Sequence, residues 1–91
     1  MVALNADKAV EMETIAFTNT QAREADFEAK CKSVSLHASA AVHIGFDSQV
    51  ANANSFLMPA NSTLEIQNIE FTRVSAQGDA GTGNLYILAR R

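Results

Sequence analysis

The sequence predicts an all-β domain, a small antiparallel β-sandwich or jelly-roll with an extended N-terminal arm. Three observations carry this. Apolar and polar residues alternate with period two from Val34 to Phe46, the spacing of a strand with one buried face. Short β-rich segments recur through residues 56–89, separated by turns rich in Pro, Asn and Gly, the rhythm of sandwiches and jelly-rolls. No long segment repeats its apolar residues at helical spacing.

Length and charge bound the rest. The chain has 91 residues, with 7 Lys plus Arg against 10 Asp plus Glu and a formal charge of -3, which fits one small domain. A chain of this size buries only roughly 60 to 65% of its unfolded surface, so neighbours would add useful stability. No apolar run approaches the roughly 18 residues of a membrane span, and the opening residues 1–7 lack the basic-then-apolar order of a signal peptide. The expectation is a soluble, unexported chain with no membrane partner. Lys8, Arg23, Lys30, Lys32 and Arg73 are scattered and form no basic stripe, which argues against a nucleic-acid partner. The single cysteine, Cys31, excludes an internal disulfide and a zinc site built on several cysteines.

Residues 1–17 read as an N-terminal arm or edge segment and residues 18–91 as a single β-sandwich domain. In the first part, Val10 and Met12, then Ile15 and Phe17, suggest extended segments with a parity break near Thr14. Residues 21–30 hold good helix formers behind a Thr18-x-x-Gln21 capping box, which predicts one or two helical turns. Val34, Leu36, Ala38, Ala40, Val42, Ile44 and Phe46 then take every even position, with Ser33, Ser35, His37, Ser39, His43, Gly45 and Asp47 at odd ones. That run is long for one strand, and its small residues 38–41 predict a bend or a tight hairpin between strands at 33–38 and 41–47.

Residues 47–55 form a polar loop of turn-stabilising side chains. Phe56-Leu57-Met58 is a short strand stopped by Pro59, and residues 60–63 turn the chain into Leu64 to Gln67. A strand at 69–77 then reverses through the glycine-rich residues 78–84 into Leu85 to Ala89, a predicted hairpin whose glycines would supply positive φ.

Residues 33–69 hold only Asp47 and Glu65 as charges, whereas ten charges fall in residues 1–32. A surface of Ser, Thr, Asn and Gln is cheaper to desolvate against a partner than a charged one, so this middle suggests contact surface. The plainer reading is an uncharged exterior typical of small β domains.

No constellation of catalytic groups emerges, and the expectation is a protein that is not an enzyme and uses no cofactor. His37 and His43 are six residues apart, about 20 Å along an extended strand, and share an ion only if the chain folds near Ser39-Ala40. They read as surface or interface histidines. Cys31 lies between two lysines that would lower a thiol pKa, but no base accompanies it, and a reduced, half-buried cysteine is expected. Residues 78–83 lack the helix and lysine of a phosphate loop. Asn61-Ser62-Thr63 reads as a turn, and Asp47, Glu65, Glu70 and Asp79 show no paired spacing. Phe17, Phe27, Phe46, Phe56, Phe71 and Tyr86 are spread one per element, as in a core. Phe56, Leu57 and Met58 are three consecutive apolar residues, which point to both faces of a strand and form the candidate protein contact.

In residues 34–46, then Phe56-Leu57-Met58-Pro59-Ala60-Asn61, then Gly81-Thr82-Gly83-Asn84-Leu85-Tyr86-Ile87, the order of features resembles small virion structural proteins of tailed bacteriophages. Those chains run an Ala-rich hairpin, a Leu-Pro-Ala-Asn-like step and a glycine turn into a closing strand. The resemblance covers about the C-terminal two thirds of the chain. It implies a decoration or cement protein that binds the capsid exterior and stabilises the shell. The implied partners are the major capsid protein and further copies of this chain, with a trimer favoured. The implied place is the virion surface, after synthesis in the host cytoplasm. The alternatives are a low-copy neck, tail or fibre component, a non-viral β-sandwich binding module, and a small jelly-roll enzyme for which His37, His43 and Glu65 would be the candidates.

Overall fold

A computed structural model describes residues 10–91, apart from the side chain of Ala29. The first nine residues of the expected arm lie outside the described residues. Six strands follow in order: β1 (Val10–Phe17), β2 (Arg23–Ala38), β3 (Val42–Phe46), β4 (Phe56–Met58), β5 (Ser62–Gly78) and β6 (Gly83–Arg90). All pair antiparallel, in the order β1-β6-β2-β5-β3-β4.

Strands β2 and β5 span 16 and 17 residues, well beyond the usual strand length, and this length turns one sheet into two leaves. In the first leaf, residues 33–38 of β2 lie between β6 and residues 62–67 of β5, with β1 outside β6. In the second, residues 23–26 of β2 pair with residues 73–76 of β5, which in turn pairs with β3, and β3 with β4. Between the leaves the β2–β5 ladder loses register on either side of Cys31, and Asn68 takes a φ of 60°. Such bulges bend and twist a ribbon, so the leaves fold face to face as a small antiparallel β-sandwich.

The core lies between the leaves. Ile15, Phe17, Val34, Leu36, Leu85 and Ile87 from the first leaf meet Ala25, Val42, Ile44, Val74 and Ala76 from the second. Phe71 sits at the bend with its ring edge-on to Phe27 at 5.7 Å and to Phe46 at 5.2 Å. The inward positions of β2 are odd at Ala25, Phe27 and Cys31 and even at Val34, Leu36 and Ala38. A one-residue slip exchanges the faces of a strand, and the bulge around Cys31 is where that exchange happens.

Several expectations change. Residues 23–30 form strand, not helical turns. Glu24, Asp26, Glu28 and Lys30 point outward while Ala25 and Phe27 point inward, a period-two pattern that overrides helix propensity once a second leaf is present to cover it. Strands β2 and β3 do not form a hairpin; the small residues 38–41 carry the chain from the first leaf to the second. Strands β5 and β6 do not pair either. Gly78 ends on the second leaf beside β3, and Gly83 begins on the first beside β1. Both predicted hairpins are leaf-to-leaf crossovers, which is what gives the chain its jelly-roll character.

No described glycine has positive φ; Asp47, Asn61 and Asn68 do. Gly78 is needed for space, because a Cβ there would overlap the Gly81 carbonyl oxygen and lie 3.1 Å from the Phe17 ring. Within the segment expected as arm or edge, residues 10–17 form β1, an outermost strand of the sheet.

Candidate functional site

The two outermost strands both expose apolar side chains. On β1 these are Val10 and Met12, the latter 76% exposed, and on β4 they are Phe56 and Leu57, at 60% and 43%.

Strand register builds the first surface. Met12 lies opposite Leu88, Leu88 opposite Ser35, and Ser35 opposite Glu65, while the next row runs Thr14, Tyr86, His37, Thr63. These residues share the outward side of the first leaf. His37 Nδ1 lies 3.0 Å from Thr63 Oγ1, and its ring stacks on Tyr86 with centroids 6.2 Å apart and planes 29° off parallel. Ser35 Oγ donates to Glu65 Oε2 at 3.1 Å and accepts from Arg90 Nη2 at 3.3 Å. Across β1, β6 and β2 the face dips into a hollow of about 290 Å³, lined by Met12, Thr14, His37, Tyr86 and Leu88 among others. Tyr86 is therefore a surface residue rather than the core residue expected from its spacing.

The second surface is at β4. Phe56 pairs with Ile44, Leu57 with His43 and Met58 with Val42, so Phe56 and Met58 share the inward side and Leu57 the outward one. Met58 is 1% exposed and belongs to the core. That corrects its assignment as a contact residue, because the second leaf covers it, whereas Phe56 and Leu57 remain available. At Phe56 the leaves part, and Ile44, Phe46, Phe56, Leu64 and Ile66 line an apolar hollow of about 280 Å³.

His43, beside Leu57, is not the exposed polar residue expected from its odd position. It is 7% exposed, covered by the β3–β4 connection and the β5–β6 crossover. Its Nδ1 lies 3.0 Å from the Ser55 carbonyl oxygen and its Nε2 2.9 Å from Asp79 Oδ1. Both partners accept hydrogen bonds, so both ring nitrogens must donate, which only the imidazolium does. The Ser55 carbonyl and the Asp79 carboxylate raise the His43 pKa above its ordinary 6.5 against the opposing effect of burial.

The covering connection is anchored along its length. Asp47 Oδ1 accepts from the Thr72 and Arg73 amides at 2.8 and 3.2 Å. The Ala51 amide donates to buried Ser75 Oγ at 2.8 Å. Gly45 permits this approach, since a Cβ there would overlap the Gln49 carbonyl oxygen and lie 2.9 Å from the Ala51 nitrogen.

His37 and His43 lie on the outward faces of different leaves and do not converge, and Glu65 accompanies only the His37 side. Cys31 is fully buried rather than half-buried. Burial pushes its thiol pKa up, with Glu11 adding to the rise and Arg91 opposing it, so the neighbouring lysines do not activate it. Among the described residues no group of three or more His, Cys, Asp and Glu is placed to hold a metal ion. The His43–Asp79 pair joins residues 36 apart, and no local pattern marks it in the sequence.

No protein-family model and no curated protein sequence matches the chain. Solved structures do. The chain is similar to an HTH_3 family transcriptional regulator from Vibrio cholerae, at 10% identity and a TM-score of 0.64, over 100% of this chain and 48% of that one. It is similar to FeII HppE in complex with substrate, at 10% identity and 0.56, over 89% and 45%. It also matches a cupin superfamily protein from Desulfitobacterium hafniense at 13% identity and 0.55, over 92% and 69%. The chain spans about half the length of the first two. At these identities the likeness is one of fold.

Proposed function

We propose that this protein is a virion structural subunit, a decoration or cement protein that binds the exterior of a phage capsid and bridges neighbouring subunits of the shell. The observation that carries the reading is the pair of separate apolar surfaces on opposite ends of the strand order: Met12 and Tyr86 on the β1 side, Phe56 and Leu57 on β4. Exposed apolar patches mark contact with other macromolecules, and two such surfaces make a small subunit bivalent, as bridging requires. The sequence resemblance supplies the partner, the major capsid protein, with further copies of this chain completing the contacts. The test is mass spectrometry of purified virions, counting this chain against the major capsid protein. A copy number comparable to the shell subunit supports the reading. A few copies per particle would place it in the neck, tail or fibres, and absence from the particle would overturn it.

A second reading is favoured by the apolar hollow between the leaves. A cavity of about 280 Å³ lined by five apolar side chains is at the small end of ligand pockets, which suits a binding module for a compact apolar molecule. Binding of a fluorescent apolar probe, abolished by Leu64→Asp, would favour that reading over shell attachment.

A further inference from the structure

We propose that His43, Asp79 and Ser55 form a proton-operated joint that fastens β3 to the entry of β4 and to the β5–β6 crossover, and that it opens as the solution becomes alkaline. Three segments distant in sequence meet at one buried ring. His43 belongs to β3, the Ser55 carbonyl immediately precedes β4, and Asp79 opens the crossover that returns the chain to the first leaf. The same crossover is tied down by the Asp79 amide on the Ala41 carbonyl at 3.1 Å and by the Gly78 amide on the Thr18 carbonyl at 2.8 Å.

The ring satisfies both acceptors only while it carries two protons. A neutral imidazole has one N–H, so one nitrogen then presents a lone pair to an acceptor oxygen in a site nearly closed to water. The partner that lets go is Asp79, whose side chain is 46% exposed and can exchange the ring for water. Ser55 keeps the remaining proton of the ring. The groups facing His43 from the other packed elements do not compete. Its register neighbours are Leu57 on β4 and Gln77 on β5, neither of which ionises, and the charge acting on the ring is that of Asp79. The direction follows from linkage. The folded value lies above 6.5, so the joint is complete below that pH and is lost as pH rises through the folded value.

Ring nitrogen NMR on the intact chain, combined with amide-exchange protection factors, tests the joint. At pH 6 both His43 nitrogens are expected to carry protons. Raising the pH through the His43 midpoint should lower protection severalfold at the Gly78 and Asp79 amides, which bond the Thr18 and Ala41 carbonyls, and leave that of residues 34–38 unchanged. Asp79→Asn keeps the size and removes the charge at a partly exposed position. It should lower the His43 midpoint and abolish the pH-dependent change at the Gly78 and Asp79 amides. A His43 ring that is neutral at pH 6, or protection at the Gly78 and Asp79 amides that ignores its titration, would overturn the proposal.

Discussion

Phe56 and Met58 face the same side of β4 two positions apart, yet one is 60% exposed and the other 1%. The leaves separate between them. Along that short strand the same inward direction leads first into an open apolar hollow and then into the closed core.

This contrast predicts opposite mutational behaviour. Met58→Ala removes a core side chain and should cost about 2 to 5 kcal/mol in urea denaturation. Phe56→Ser, at an exposed edge, should change stability by about 0.5 kcal/mol or less while weakening attachment in a binding or particle-association assay. Equal destabilisation by both would mean that the hollow is closed in solution.

On the β1 side, Met12→Ser and Tyr86→Ser should likewise leave the urea midpoint nearly unchanged, since surface substitutions usually stay within about 0.5 kcal/mol. Each should reduce occupancy on purified particles. Full occupancy with both residues replaced would remove this face from the attachment surface.

Two glycines give a clean comparison. Gly45→Ala places a methyl group against the backbone of residues 49 and 51 and should destabilise by about 2 kcal/mol or more, as overpacking does. Gly81 has nothing within 4 Å of its would-be Cβ and no positive φ. Gly81→Ala should therefore be neutral or stabilising by about 0.4 to 1 kcal/mol, through the unfolded chain. Thermal midpoints of the two variants check both statements.

Cys31, fully buried with its thiol pKa raised, should react with a disulfide reagent only as fast as the protein opens. Labelling should accelerate with denaturant in step with unfolding. A burst of labelling in native buffer would show that the bend between the leaves admits solvent.

Thermal stability carries the His43 signature. Its contribution is present below about 6.5 and falls as pH rises through the raised folded value. The difference in Tm between the wild type and Asp79→Asn should therefore be larger at pH 6 than at pH 9. A difference that does not shrink would assign the effect of Asp79 to something other than the ring.

The sequence made the strands legible and left their partners obscure. The alternation at residues 34–46 correctly marks Val34, Leu36, Ala38, Val42 and Ile44 as inward residues, because a half-buried strand has period two whatever it pairs with. The small residues 38–41 and the glycine-rich residues 78–84 suggest hairpins in the sequence, since such residues serve a crossover as well as a tight turn. Residues 21–30 carry a local helix preference because Glu, Ala and Lys favour helix, and only the covering leaf makes the alternation decisive from Arg23 on. Of the candidate contact, Phe56 and Leu57 are exposed and Met58 is not. A run of three apolar residues shows that both faces are apolar but not where a sandwich ends. The His43 joint depends on a residue 36 positions away and on a backbone carbonyl, neither of which leaves a trace in the local pattern.

Strands β2 and β5 belong to both leaves, so neither leaf can melt while the other stays whole. Loss of the ladder on one side removes the template on the other, and the molecule should unfold in one cooperative step. Assembly carries the complementary burden. Strand β1 closes on β6, so residue 10 meets residue 90, and the sheet is complete only after the two ends of the described chain have found each other. Proteins dominated by such distant pairings fold slowly for their size, and until that closure the edge of β6 that will receive β1 stands open.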